Sequence, residues 1–139
     1  MKKIVVFGAT GKVGCYTALY LKEKGYNVVA VGKRPSDNDF FADNGIDYIS
    51  VDILNPETFA NLPKSHVYGV IHMAATLPAT MKGYDPHEYV RTNLDGTLNV
   101  LDYAVKVGVK RFVFPKSWSE SGFFMSSTSI LRRFFQLKI

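Results

Sequence analysis

The sequence of 139 residues predicts an α/β fold in which helices cover both faces of a doubly wound parallel sheet of about five strands, giving three α/β/α layers. Two observations support this prediction. Short apolar runs alternate with helical or loop segments, and the first run leads directly into a glycine-rich turn. Continuous apolar runs are typical of strands buried on both faces of a parallel sheet. The predicted strands are residues 3–7, 27–32, 46–51, 66–72 and 110–114.

The glycine-rich turn at residues 8–14 is the stretch around which the chain is organised. Its glycines permit a tight strand-to-helix turn, close approach of a pyrophosphate and close packing of helix on strand. Unpaired N–H groups at the start of the next helix favour an anion. The turn therefore predicts dinucleotide binding, with a purely structural glycine turn as the alternative. The candidate cofactor contacts here are Gly8, Thr10, Gly11, Lys12, Val13 and Gly14.

A basic pair comes directly after the second predicted strand. In doubly wound folds the adenosine ribose is read about 20 residues past the glycines, usually by Asp or Glu when the cofactor is NAD. Here Lys33 and Arg34 occupy that place, and the first carboxylate is Asp37. Both basic side chains can bind a 2′-phosphate by charge-assisted hydrogen bonds. The pair predicts NADP as cofactor, with NAD and a merely solvated basic turn as alternatives.

Apolar periodicity and capping signals predict the helices. The first helix covers residues 12–24, ends at Gly25 and carries an apolar stripe of Val13, Thr17 and Leu21. A long helix is expected over about residues 87–107, ending at Gly108. Its predicted apolar stripe is Val90, Leu94, Leu98, Leu101 and Val105. Asn55-Pro56-Glu57 is typical of the start of a short helix, and the loop at residues 76–86 is expected to face a ligand.

Charge and composition exclude several functional classes. The net charge of +5 lies in residues 109–139, because residues 1–108 contain eleven basic and eleven acidic side chains. No nucleic-acid fold signature accompanies this basic tail, so we expect no nucleic-acid partner. No apolar run reaches membrane-spanning or signal-peptide length, which indicates a cytoplasmic protein without a membrane partner. The histidines and Cys15 show no metal-ligand spacing, so no metal is expected.

Five motifs resemble those of the extended short-chain dehydrogenase/reductases, the NAD-dependent epimerase/dehydratase family. They are residues 8–14, Val51-Asp52-Ile53, His72-Met73-Ala74-Ala75, residues 93–101 and residues 108–114. The resemblance covers residues 1–114 and implies a Rossmann-like NAD(P)-binding domain. It implies that Asp52 and Ile53 contact the adenine, and that Met73, Ala74 and Ala75 line the cofactor. It also implies that Asn93 supports the active-site region.

The family pattern is present only in part after residue 114. Ser117 falls at the catalytic serine position, where it would donate a hydrogen bond to the substrate oxygen, but Ser121 replaces the family tyrosine. The family's Tyr-x-x-x-Lys, whose tyrosine is the general acid/base, does not occur after Ser117. We therefore predict a truncated or frame-shifted relative, with an NAD(P)-binding domain at residues 1–116 and a divergent basic-aromatic tail at residues 117–139.

Two functions remain open from the sequence. The first is the NAD(P)-binding domain of an epimerase, dehydratase or reductase that is catalytically incomplete as this chain, with a nucleotide sugar or small carbonyl compound as substrate if completed. The alternative is a non-catalytic NADP-binding sensor or interaction module. An amphipathic helix is predicted from about Thr128. It is expected either to fold back over the exposed sheet edge and helix face or to pack against a second copy of the chain, so a homo-oligomer is one of two open alternatives.

Overall fold

The computed structural model describes residues 1–76 and 85–115, and in these ranges five parallel strands form one sheet. The strands are β1 (Lys3–Phe7), β2 (Asn27–Gly32), β3 (Asp47–Ser50), β4 (Val67–His72) and β5 (Arg111–Val113). Their spatial order is β3-β2-β1-β4-β5, with parallel pairing throughout. The predicted doubly wound sheet is therefore confirmed, and its order reverses between β1 and β4.

Helical segments connect the strands. They are α1 (Lys12–Glu23), α2 (Phe40–Asp43), a 3₁₀ turn (Pro56–Asn61), α3 (Pro86–Val90), a π-helical turn (Arg91–Asp95) and α4 (Gly96–Lys106). The side chain of Asn55 accepts a hydrogen bond from the Glu57 N–H, as the predicted cap requires. The predicted long helix thus exists as α3, the π turn and α4. Most of the loop at residues 76–86, the boundary at residue 116 and the tail lie outside the described residues.

Two apolar clusters lie on opposite faces of the sheet because successive side chains of a strand point to opposite sides. One cluster combines one face of β1, β2 and β4 with the 3₁₀ turn and α4, and it includes Phe7, Val70 and Val100. The other packs the opposite face against α1 and α2, and it includes Ala18 and Phe41. This arrangement confirms the three-layer architecture.

The buried face of α4 differs from the predicted one. Its buried residues are Gly96, Val100, Tyr103 and Ala104. The predicted stripe is exposed at Val90, Leu94, Leu98 and Val105, by 52 to 79% of each residue's surface. The buried positions of α4 themselves follow a regular helical spacing, so the prediction chose the wrong face of this helix. Val90 is already exposed before the π turn, so tertiary packing, and not the π turn alone, selects the inward face. Gly96 faces the core, where a Cβ would lie 2.6 Å from Ile53 Cδ1.

The predicted stripe of α1 is also wrong at its first position. Val13 is 68% exposed, and the buried residues of the helix are Gly14 and Ala18. A Cβ on Gly14 would lie 2.1 Å from the carbonyl oxygen of Gly8, so the helix packs through its smallest residues. Close packing rather than apolar volume therefore decides which face of α1 is inward.

Candidate dinucleotide-binding site

The carboxyl ends of three strands meet where the strand order reverses. Phe7 at the end of β1 is in register with Val31 of β2 and with His72 of β4. The backbone continues this pairing past the strands, since the Ala9 N–H donates to the Val31 carbonyl at 2.9 Å. A cavity of about 380 Å³ opens above these ends. Ligands of open α/β sheets bind in this crevice, so we take it as the candidate site.

The glycine turn lines the cavity and has no room for a side chain at Gly8. Gly8 has a φ of +78°, and a Cβ there would lie 2.6 Å from the backbone nitrogen of Ala74. The turn also packs on the end of β2, because a Cβ on Gly32 would lie 2.6 Å from Thr10 Cγ2. The main chain of Gly8 therefore lines the cavity directly at the point where β1 ends.

The first turn of α1 presents positive potential to the same space. Gly11 precedes α1 as its N-cap in an extended conformation, and within the described residues no side chain caps the helix and no acidic residue lies in its first turn. The first N–H groups of a helix have no intrahelical acceptor, and the helix dipole makes this end attractive to anions. Lys12 is exposed beside it. A pyrophosphate group suits this wall.

The basic pair lines the same cavity, just after β2. Lys33 Nζ is 3.1 Å from Asp52 Oδ2. The Tyr48 hydroxyl donates a hydrogen bond to the Arg34 carbonyl at 2.6 Å. Burial raises the pKa of Tyr48, Asp37 adds to the rise and Arg34 opposes it. The hydroxyl therefore stays protonated at neutral pH and fixes the backbone of the basic turn.

The segment after β3 brings Asp52 and Ile53 to the cavity. Asp52 Oδ1 accepts a hydrogen bond from the Leu54 N–H at 3.0 Å, which fixes one oxygen of the carboxylate. Asn99 Nδ2 donates to the Ile53 carbonyl at 2.8 Å. Ile53 is buried against Gly96 of α4. The Asp52 side chain and the Ile53 carbonyl are therefore each fixed by a hydrogen bond. The second carboxylate oxygen of Asp52 pairs with Lys33.

Asn93 of the π turn binds the chain as it leaves β4. Its Oδ1 accepts from the Thr76 N–H at 2.8 Å, and its Nδ2 donates to the Thr76 carbonyl at 3.0 Å. The Thr97 hydroxyl donates to the Asn93 carbonyl at 2.7 Å. Asn93 therefore fixes Thr76, which lines the cavity, although Asn93 itself does not line it.

His72 is a buried polar residue at the end of β4. Its Nε2 is 2.9 Å from the Thr97 hydroxyl oxygen, whose own proton is directed to Asn93, so Nε2 carries the proton and donates. Its Nδ1 is buried and has no partner within residues 1–76 and 85–115. Burial lowers the pKa of His72 to about 4, so the ring is neutral near pH 7. The sequence motif placed His72 at the end of a strand without indicating this role.

The structure brings most of the predicted cofactor residues to one cavity. Those that line it are Gly8, Thr10, Gly11, Lys33, Arg34, Asp52, Ile53, Met73, Ala74 and Ala75. The predicted residues that do not line it are Lys12, Val13, Gly14 and Asn93, and Ser117 lies outside the described residues. Among the lining residues that were missed are Gly32, Thr76, Glu88 and Thr92. Gly32 could have been predicted because it is the glycine that ends β2. Thr76, Glu88 and Thr92 could not, because their positions depend on how α3 and the π turn pack against the sheet.

A second cavity of about 440 Å³ lies between the 3₁₀ turn and α4. Phe59, Leu62 and Tyr103 are among its lining residues, and it lies away from the carboxyl ends of the strands.

In residues 1–76 and 85–115 no group of three or more His, Cys, Asp and Glu side chains is placed to hold a metal ion. The same ranges contain no helix long and apolar enough to cross a membrane.

A parallel sheet of this order, a glycine turn after its first strand and an open helix N-terminus at the reversal point define a Rossmann-type dinucleotide-binding fold. A sequence profile of the family described as "NAD dependent epimerase/dehydratase family" matches residues 4–127. The chain therefore belongs to the NAD-dependent epimerase/dehydratase family. The resemblance noted from its motifs is confirmed, and the chain is an NAD-binding domain of this family by its fold and sequence.

Individual relatives agree with this assignment. UDP-glucose 4-epimerase of Mus musculus is 30% identical over 131 residues, which cover 84% of this chain and 38% of the relative. A crystal structure of a UDP-galactose 4-epimerase is 27% identical with a TM-score of 0.72, covering 84% of this chain and 38% of that one. A short-chain dehydrogenase/reductase superfamily protein from Agrobacterium tumefaciens, crystallised with bound NAD, is 27% identical with a TM-score of 0.68 and coverage of 83% and 32%. The chain thus spans less than two fifths of the length of these relatives.

Proposed function

We propose that this chain binds a nicotinamide dinucleotide in the cavity above β1, β2 and β4, and that it prefers NADP. The observation that carries the proposal is one cavity whose lining includes both Gly11, the N-cap of α1, and the basic residues Lys33 and Arg34. These two positive regions suit the two anionic groups of NADP, its pyrophosphate and its 2′-phosphate.

The residues of the cavity fit the cofactor part by part. Gly8 and Gly11 let the pyrophosphate approach the backbone beside α1. Asp52 and Ile53 would hold the adenine, as the family resemblance implies. Lys33 and Arg34 would bind the ribose 2′-phosphate, while Ala74 and Ala75 leave room for the nicotinamide half. The bound nicotinamide would supply hydride chemistry.

The preference for NADP rests on this chain's own residues. A carboxylate after β2 would repel a 2′-phosphate, and residues 33–36 contain none. The relative from Agrobacterium tumefaciens was crystallised with NAD, so nicotinamide dinucleotides are within the reach of this fold, and the basic pair is what favours the phosphorylated form here.

For the chemistry, we propose that the chain by itself binds cofactor without turnover. Ser117 is the candidate catalytic residue, and the sequence has no tyrosine after it to act as general acid/base. The names of the relatives favour a nucleotide sugar as the substrate of a completed enzyme.

The test is the affinity of the purified chain for NADP and for NAD, measured by titration calorimetry and by the rise in thermal midpoint. Replacing both Lys33 and Arg34 with alanine should lower NADP affinity by about tenfold or more and leave NAD affinity nearly unchanged. The matched control replaces Lys106 and Lys110 with alanine, because these exposed lysines do not line the cavity, and it should leave both affinities unchanged. Equal affinities in the unmodified protein would refute the NADP preference, and binding of neither nucleotide would refute the proposed function.

A further inference from the structure

The two residues that form the Lys33–Asp52 ion pair are held with unequal firmness. Lys33 extends from the end of β2 on a flexible stem, and its side chain is 75% exposed, against 33% for Asp52. The carboxylate of Asp52 is fixed through Oδ1 by the Leu54 N–H, and its Oδ2 faces the ammonium at 3.1 Å. Asp52 is therefore the fixed partner, and the ammonium group of Lys33 is the part that can change partners.

The pairing results from the order of the strands. β3 pairs with β2 in parallel, and Gly32 is in register with Ser50, so the residues after both strands emerge side by side. Lys33 is the first residue past β2, and Asp52 is the second past β3. Both line the candidate cavity. A ligand anion that binds Lys33 thus arrives next to a carboxylate that already uses the same ammonium.

We propose that Asp52 sets how strongly the site discriminates NADP from NAD, by competing with the 2′-phosphate for Lys33. This inference rests on the proposed function, since it assumes that the dinucleotide binds in this cavity. The ammonium must leave or share Asp52 when a 2′-phosphate binds, whereas the neutral 2′-hydroxyl of NAD makes no such demand. Asp52 therefore weakens NADP binding selectively, which reduces the difference between the affinities for NADP and for NAD.

The substitution Asp52→Asn isolates this effect because asparagine keeps the shape of the side chain. Its amide oxygen can still accept from the Leu54 N–H, and only the charge offered to Lys33 is lost. Any loss of adenine contact applies to both cofactors alike and cancels in the ratio of the two affinities. That ratio therefore reports how the charge of Asp52 affects binding of the 2′-phosphate, and the Lys33→Ala background separates competition for Lys33 from direct repulsion of the phosphate.

The experiment compares four proteins: unmodified, Asp52→Asn, Lys33→Ala and the double variant. Affinities for NADP and NAD are measured by calorimetry at low ionic strength. Asp52→Asn should raise the preference for NADP by about fivefold, the upper range for an exposed ion pair. In the Lys33→Ala background the same substitution should change the preference by less than about twofold, because no ammonium remains to compete for. Asp102→Asn, which removes an exposed carboxylate of α4, is the charge control and should leave the ratio unchanged.

The outcomes separate this inference from the proposed function. If both cofactors bind and Asp52→Asn leaves the ratio unchanged or lowers it, the role of Asp52 is refuted while dinucleotide binding stands. An equal rise with and without Lys33 also refutes it, since Asp52 would then act on the phosphate directly. If neither cofactor binds the unmodified chain, both proposals fail. The thermal midpoint of each ligand-free variant shows that it is folded.

Discussion

The buried His72 predicts a loss of stability in mild acid. Its ring is fully buried, and burial lowers its pKa from 6.5 to about 4. The unfolded chain therefore binds more protons than the folded one between these two pH values, and the free energy of unfolding falls as the pH falls. This contribution is fully present above about pH 6.5 and is lost by about pH 4. A shift of this size corresponds to about 3 kcal/mol, a large share of the roughly 5–15 kcal/mol typical of a domain.

The assay is urea unfolding monitored by circular dichroism at pH 7.5, 6.5, 5.5 and 4.5. The variant His72→Gln does not titrate in this range and retains an N–H that can reach Thr97. The unmodified protein should lose about 2–3 kcal/mol more than the variant between pH 7.5 and 4.5. Carboxylates titrate in both proteins, so their contribution cancels in the comparison.

His87→Gln serves as the matched control, because His87 is an exposed histidine at the start of α3. It should reproduce the pH dependence of the unmodified protein. If the unmodified protein and His72→Gln lose the same stability on acidification, the buried neutral histidine is not the source of acid sensitivity and the reasoning is refuted.

Two further substitutions test the walls of the cavity. Tyr48→Phe removes the hydrogen bond to the Arg34 carbonyl and should weaken NADP binding about threefold to tenfold in a fluorescence titration, with NAD affinity and ligand-free stability nearly unchanged. An unaltered NADP affinity would show that the hydroxyl does not position the basic turn. Gly8→Ala places a Cβ 2.6 Å from the Ala74 nitrogen at a φ of +78° and should lower the free energy of unfolding by about 2 kcal/mol or more in thermal denaturation. Normal stability in this variant would mean that the turn tolerates a side chain.

The sheet and the site wall were predictable because they depend on local chemistry. The apolar runs identified all five strands to within one residue at each end. The glycine turn after Phe7 indicated both the start of α1 and the place of the cavity. Lys33 and Arg34 were found in the same way, by counting residues from that turn.

The inward faces of the helices were not predictable, since tertiary contacts decide them. Apolar volume favoured Leu94 and Leu98, but both are exposed, and the smallest residue nearby, Gly96, faces the core. The π turn before this helix has no simple sequence signal either. Glu88 and Thr92 line the cavity because of the way α3 and the π turn pack on the sheet, which a pattern count could not predict.

The close contact of Gly96 with Ile53 affects the width of the candidate site. Ile53 lies beside the candidate adenine position, while Gly96 belongs to a helix that borders the opposite side of that residue. A methyl group added to the helix would push Ile53 and its neighbour Asp52 toward the ligand, and Asn99 one turn later ties the same segment by its carbonyl. The size of residue 96 therefore helps to set the width of the candidate crevice, although Gly96 itself does not line it.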